Sequence, residues 1–148
     1  MIKYTVLNNR FYSANLLTGG VDIHPKDENI IFMLTEHVDD DNYIYQTALK
    51  YVKMPKTSLC FYGRNAILWR MCCEAINRQV YPDQEQRRFQ SYDKYDNWED
   101  FVVELQNCLE VRELVLCDII VLYDDYPLYE KLMSDSRIKA MFGNFWQK

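Results

Sequence analysis

The chain alternates short apolar runs with amphipathic stretches at helical spacing. Ile2–Leu7 reads as a short strand and Asn8-Asn9 as a turn. Phe11–Leu17 continues a hairpin that Thr18-Gly19-Gly20 breaks. Asp22–Asn29 is polar, contains Pro25 and reads as loop. Asn29–Thr35 (NIIFMLT) is short, nearly continuous in apolar residues and partly β-branched, which predicts a buried strand. Asp39-Asp40-Asp41 then supplies a helix N-cap and first-turn acids for a helix from about Asn42 to Lys53. Ile44, Ala48, Tyr51 and Val52 form its apolar stripe, and Pro55 closes it.

Thr57–Tyr62 (TSLCFY) reads as the next strand. Gly63-Arg64 makes the turn, with Gly63 at positive φ. Asn65 is placed to cap a helix from Ala66 to about Arg78. That helix is apolar on most sides, so it is expected to be the most buried of the fold. From Tyr81 to Asp96 no aliphatic residue occurs, yet Tyr81, Phe89, Tyr92 and Tyr95 do. Pro82 is placed to open a short helix over 83–89 in this long connection. Asn97 caps the following helix, where Trp98, Phe101, Val102, Leu105, Cys108 and Leu109 give the cleanest helical stripe in the chain. Asp118–Tyr123 (DIIVLY) is a buried strand ending in Asp124-Asp125. Pro127 opens a helix to about Met133, and Ser134 or Asp135 caps a last one holding Ile138, Met141 and Phe142. Phe145 and Trp146 are expected to dock on the core.

Strands alternating with helices predict an α/β (or α+β) fold. The expected form is a small, mainly parallel sheet of three to five strands, flanked by four to five helices as a single-layer sandwich. The 148 residues fit one globular domain over 1–148. The opening MIKYTVLNNRFYS has no apolar core of signal-peptide type, and no apolar run approaches the ~20 residues of a membrane span. These features give an expectation of a cytoplasmic protein without membrane contact.

Charge changes the picture. The net charge is −5, but residues 93–130 hold eleven acids against Lys94 and Arg112, a local −9. Such a field repels phosphate backbones and attracts basic partners, which argues against direct nucleic-acid binding. Twelve tyrosines, seven phenylalanines and three tryptophans accompany it. Tyr and Trp are enriched where proteins meet.

Specific chemistry is sparse. The five cysteines are odd in number and sit in apolar runs with no C-x-x-C, so neither a disulfide framework nor structural zinc is expected. The Phe61–Asn65 turn has one glycine and lacks both nucleotide fingerprints. His37 with Asp39–Asp41 offers oxygens to a hard cation, but six or more are needed and no glycine is placed to fold the loop. His24 stands before Pro25 with no partner in view. The Ser and Cys residues lie in no nucleophile motif. Asp124-Asp125, at the end of a buried strand, is the best catalytic candidate, set against a turn acid before Pro127. The balance leans away from an enzyme, with no cofactor and no metal expected.

The stretch Tyr95-Asp96-Asn97-Trp98-Glu99-Asp100-Phe101, through Glu104-Leu105 and Cys108-Leu109 to Asp118–Asp124, resembles the barstar family of immunity proteins. Those are small acidic α/β proteins that block a secreted ribonuclease. The family's Gly before the Asn is here Asp96, and its second acid falls on Val103, with Glu104 beside it. The resemblance implies that Tyr92, Tyr95, Asn97 and Glu99 face a toxin. Together with the charge window, it gives the expected partner-binding set: Tyr92, Tyr95, Asn97, Trp98, Glu99, Asp100, Glu104, Asp124 and Asp125. The expected function is a non-enzymatic interaction module that inhibits or neutralises a basic protein, such as a nuclease. An immunity protein or a phage-encoded inhibitor fits that description. The alternative is a small α/β enzyme or a nucleotide- or ligand-binding domain with its site at the strand C-terminal ends. A homo-oligomer is a further possibility.

Overall fold

A computed structural model describes residues 2–6, 9–18, 28–54, 56–82, 89–92, 97–111 and 117–142. Residues 83–88 of the helix predicted over 83–89 and residues 22–27 of the loop predicted over 22–29, with His24, lie outside these residues, as do Tyr95 and Phe145-Trp146. Phe89 begins a strand rather than ending that helix, and Glu28 and Asn29 already belong to a strand. The strands are β1 (Ile2–Val6), β2 (Asn9–Asn15), β3 (Glu28–Leu34), β4 (Thr57–Tyr62), β5 (Phe89–Tyr92) and β6 (Cys117–Tyr123). The helices are α1 (Asp41–Val52), α2 (Ala66–Val80), α3 (Trp98–Val111), α4 (Tyr126–Ser134) and α5 (Ser136–Phe142). No described helix is long and apolar enough to cross a membrane.

One sheet carries all six strands in the order β1-β2-β6-β3-β4-β5. Strands β2, β6, β3, β4 and β5 pair in parallel, and β1 adds an antiparallel edge as the predicted hairpin. The single-layer, mainly parallel α/β architecture holds, with one strand more than the upper expectation. The extra strand is β5, hidden in the aliphatic-free connection. Its sequence FQSY lacks the β-branched run that marks a strand, and it sits at a sheet edge with Gln90 and Tyr92 half-buried.

Side chains alternate across the sheet with period two, and both faces are covered. Ile30, Phe32, Leu34, Cys60, Tyr62, Ile119 and Val121 meet α3, α4 and α5. Ile31, Met33, Leu59, Phe61, Ile120 and Leu122 meet α1 and α2. The central strands are therefore apolar on both faces, which is why they read as continuous runs.

Helix α2 corrects one expectation. Trp69, Cys73 and Ile76 are buried, but Ile67, Leu68 and Met71 are exposed. A helix laid on one sheet face buries one stripe, whatever its other sides carry. Asn65 corrects another, because its side chain makes no cap hydrogen bond. Its Nδ2 donates instead to the Val38 carbonyl at 2.9 Å.

Candidate functional site

The parallel register ends in one row across the sheet. Asn15 lies beside Tyr123, Tyr123 beside Leu34, Leu34 beside Tyr62, and Tyr62 beside Tyr92. Helices α1, α2, α3 and α4 each follow a parallel strand, so their N-termini gather at this same end. Topology thus brings Tyr92, Asn97, Trp98, Glu99, Asp100, Asp124 and Asp125 to one end of the molecule. Glu104 lies further along α3. It lines a cavity of about 100 Å³ beneath that helix, with Ser58, Cys60, Gln90 and Cys108.

The aromatic side chains form a packed wall. Trp98 meets Tyr62 edge-on with ring centroids 5.0 Å apart, and Tyr92 meets Phe101 at 6.0 Å. Tyr92 and Trp98 are half-buried, so each keeps part of its surface toward solvent. Lys131 from α4 lies over the Trp98 ring at 4.2 Å, a cation–π contact. A second group forms at the β6–α4 corner, where Tyr123 stacks on Tyr129 at 4.3 Å and Tyr126 packs against both. Tyr126 is 57% exposed. Its place in the site was not legible, because Tyr-Pro after two acids reads only as a helix start.

The carboxylates do different jobs. Glu99 pairs with Arg137 of α5, and Arg137 also makes a two-pronged contact with Asp135. The Arg137 hydrogen bond is the main reason Asp135 is held below the ordinary carboxylate range. Part of the acidic charge is therefore paired within the molecule by Arg137. Asp118 and Asp124 are buried. Asp100 is exposed. So are Asp39 and Asp41, which begin α1 at the same sheet end. Asp40 caps α1 by accepting the Tyr43 amide at 2.7 Å, as the Asp39–Asp41 run predicts.

Asp124 and Asp125 sit where the chain directions diverge. The chain leaving β3 turns to the α1 face, and the chain leaving the adjacent β6 turns to the α4 face. Such switch points open a crevice at the strand carboxyl ends. Asp124 reaches across it and accepts the amides of Glu36, His37 and Val38 at 2.8, 2.9 and 2.8 Å. Three successive N–H groups make an anion nest, and an internal carboxylate fills it. Asp124 therefore points inward, onto the loop over 36–38. Asp125 accepts the Leu128 amide as the α4 cap at 2.9 Å. Its other oxygen lies 2.7 Å from His37 Nε2. That hydrogen bond is the largest cause raising the His37 pKa.

His37 thus pairs with an acid 88 residues away, not with the Asp39–Asp41 run beside it. Among the described residues no group of three or more His, Cys, Asp or Glu side chains is placed to hold a metal ion. Beside the pair is an open depression of about 490 Å³, lined by Leu17, His37, Val38, Asp39, Asp40, Asn42, Tyr43 and Gln46. The corner is braced from β4 as well. Gly63 adopts φ +123° against the Thr35 carbonyl, and the Asn65 amide donates to the same carbonyl at 3.0 Å.

Searches against protein-family models, curated proteins and solved structures return no match to this chain. The barstar likeness rests on the local sequence alone.

Proposed function

We propose that the protein is a non-enzymatic interaction module that inhibits or neutralises a basic partner protein. It engages that partner through the acidic, tyrosine-rich carboxyl end of its sheet. The observation that carries the reading is the convergence there of Tyr92, Trp98 and Tyr126 with the exposed Asp39, Asp41 and Asp100. Amphipathic rings supply contact area at low entropic cost. Carboxylates at the rim steer a cationic surface into register. An immunity protein or a phage-encoded inhibitor is the biological form that fits, with a nuclease or another nucleic-acid-binding protein as partner.

The test is affinity capture from host lysate with three baits: wild type, Asp39→Lys/Asp100→Lys/Tyr126→Ala, and a control reversed at Glu110 and Glu130. The expected result is a basic protein retained by wild type and control and lost by the triple variant. The same proteins recovered equally by all three baits overturn the reading.

A second reading is favoured by the switch-point crevice and its 490 Å³ depression. On that reading the chain is a small α/β enzyme or ligand-binding domain. A ligand bound to the native state raises its melting temperature. Thermal shift with nucleotides and divalent cations separates the two, since the interaction module stays unmoved by both.

A further inference from the structure

We propose that Asp124 and Asp125 form a two-pronged clasp between the loops that diverge at the switch point, and that His37 makes one prong sensitive to pH. The inference concerns the molecule itself and does not depend on which partner it engages.

The first prong is fixed. Asp124 is buried and holds the amides of Glu36, His37 and Val38 within 2.9 Å. The second prong is exposed. The side chains of His37 and Asp125 are 64% and 24% accessible, with Nε2 and Oδ1 2.7 Å apart. A hydrogen bond from an imidazolium to a carboxylate is charge-assisted and stronger than one from neutral imidazole. The groups facing His37 are Asp125 and Asp124 from the β6–α4 corner and Glu36 from its own loop. Asp39 and Asp40 line the same depression, which has no Lys or Arg in its wall. All five are carboxylates. Histidine is the side chain whose ordinary pKa places its charge change between about pH 5 and 8, and the Asp125 hydrogen bond is the largest cause raising that of His37.

The consequence is directional. With His37 charged, both prongs hold the loop over 36–38 against the start of α4. With His37 neutral, the second prong is reduced to an ordinary, weaker hydrogen bond and the loop opens more often. The depression shares His37 and Val38 with this loop, so its rim loosens as pH rises.

The experiment is amide hydrogen exchange followed by NMR, expressed as protection factors so that intrinsic pH effects cancel. Wild type is expected to lose about two- to fivefold protection at residues 36–38 between pH 5.5 and 8, relative to Ile31 in β3, the range of an exposed ion pair. In His37→Gln, which keeps a donor but cannot charge, the ratio stays flat. In Asp125→Asn, which preserves the α4 cap because Asn caps as well as Asp, the His37 titration midpoint falls. The same pH profile in wild type and His37→Gln, or an unmoved His37 midpoint in Asp125→Asn, overturns the proposal.

Discussion

The Asp124 carboxylate accepts the Val38 amide at 2.8 Å across 86 residues of chain. With the Glu36 and His37 amides it makes one side chain the acceptor for three consecutive donors at a partly closed corner. Hydrogen bonds to a charged group contribute more than neutral ones, and stranded donors cost extra. Asp124→Ala is therefore expected to destabilise the fold by about 3 kcal/mol. Urea unfolding at neutral pH measures it. A loss below about 1 kcal/mol would mean that water replaces the carboxylate at little cost.

Gly63 carries a backbone conformation that an L side chain resists. At φ +123°, an added Cβ would also meet the Thr35 carbonyl oxygen at 2.8 Å. Gly63→Ala combines strain with a collision against backbone, and about 2–3 kcal/mol of destabilisation is expected. Calorimetry is the check, and an unchanged melting temperature contradicts the geometry.

Arg137 sets the acid limit of the α3–α5 seam. Its hydrogen bond holds Asp135 below the ordinary carboxyl range, against burial that pushes the other way. A carboxyl with a depressed folded pKa stabilises the protein above its unfolded value. That contribution fades as pH falls through the folded value. Arg137→Met is therefore expected to have a lower urea midpoint than wild type at pH 7, with the gap narrowing below about pH 4. A gap of the same size at pH 7 and pH 2.5 would assign the loss to packing instead.

Helix α2 separates burial from hydrophobicity within three residues. Trp69 is fully buried and stacks near Phe61 at 6.0 Å, whereas Met71 is 58% exposed. Trp69→Ala is expected to cost about 3–5 kcal/mol, and Met71→Lys to stay within about 0.5 kcal/mol. Among the described residues, the Trp69 Nε1–H has no hydrogen-bond partner. Trp69→Phe thus forfeits volume but no hydrogen bond, and its cost should be far below that of Trp69→Ala. Equilibrium denaturation of the three variants gives the order directly.

The strands that carry the sheet were legible because both of their faces are buried. NIIFML, LCFY and IIVLY leave no period to misread, and the stripe of α3 from Trp98 to Leu109 was equally plain. Strand β5 escaped because FQSY at an edge buries too little to need aliphatic residues. Asn65 was misread because Asn before a helix is a cap by composition, and only the approach of Val38 gives its amide a better partner. The acids could be counted but not apportioned. Both Glu99 and Asp100 are exposed, and nothing local tells that Glu99 is the one that pairs with Arg137. The site corner was half legible, with Asp124-Asp125 visible as a strand-end pair. Their targets are set by long-range pairing that no window of sequence contains.

The position of β6 has a kinetic side. This last of the described strands lies between β2 and β3 and is hydrogen-bonded to both. Arg10 finds its neighbour Asp118 only after more than a hundred residues have been synthesised. Until then the N-terminal hairpin has no parallel neighbour, and β3 presents a bare apolar edge of the kind that templates aggregation. Such distant pairing slows folding. Losing the segment from Cys117 onward would therefore remove the keystone of the sheet and strand two adhesive fragments.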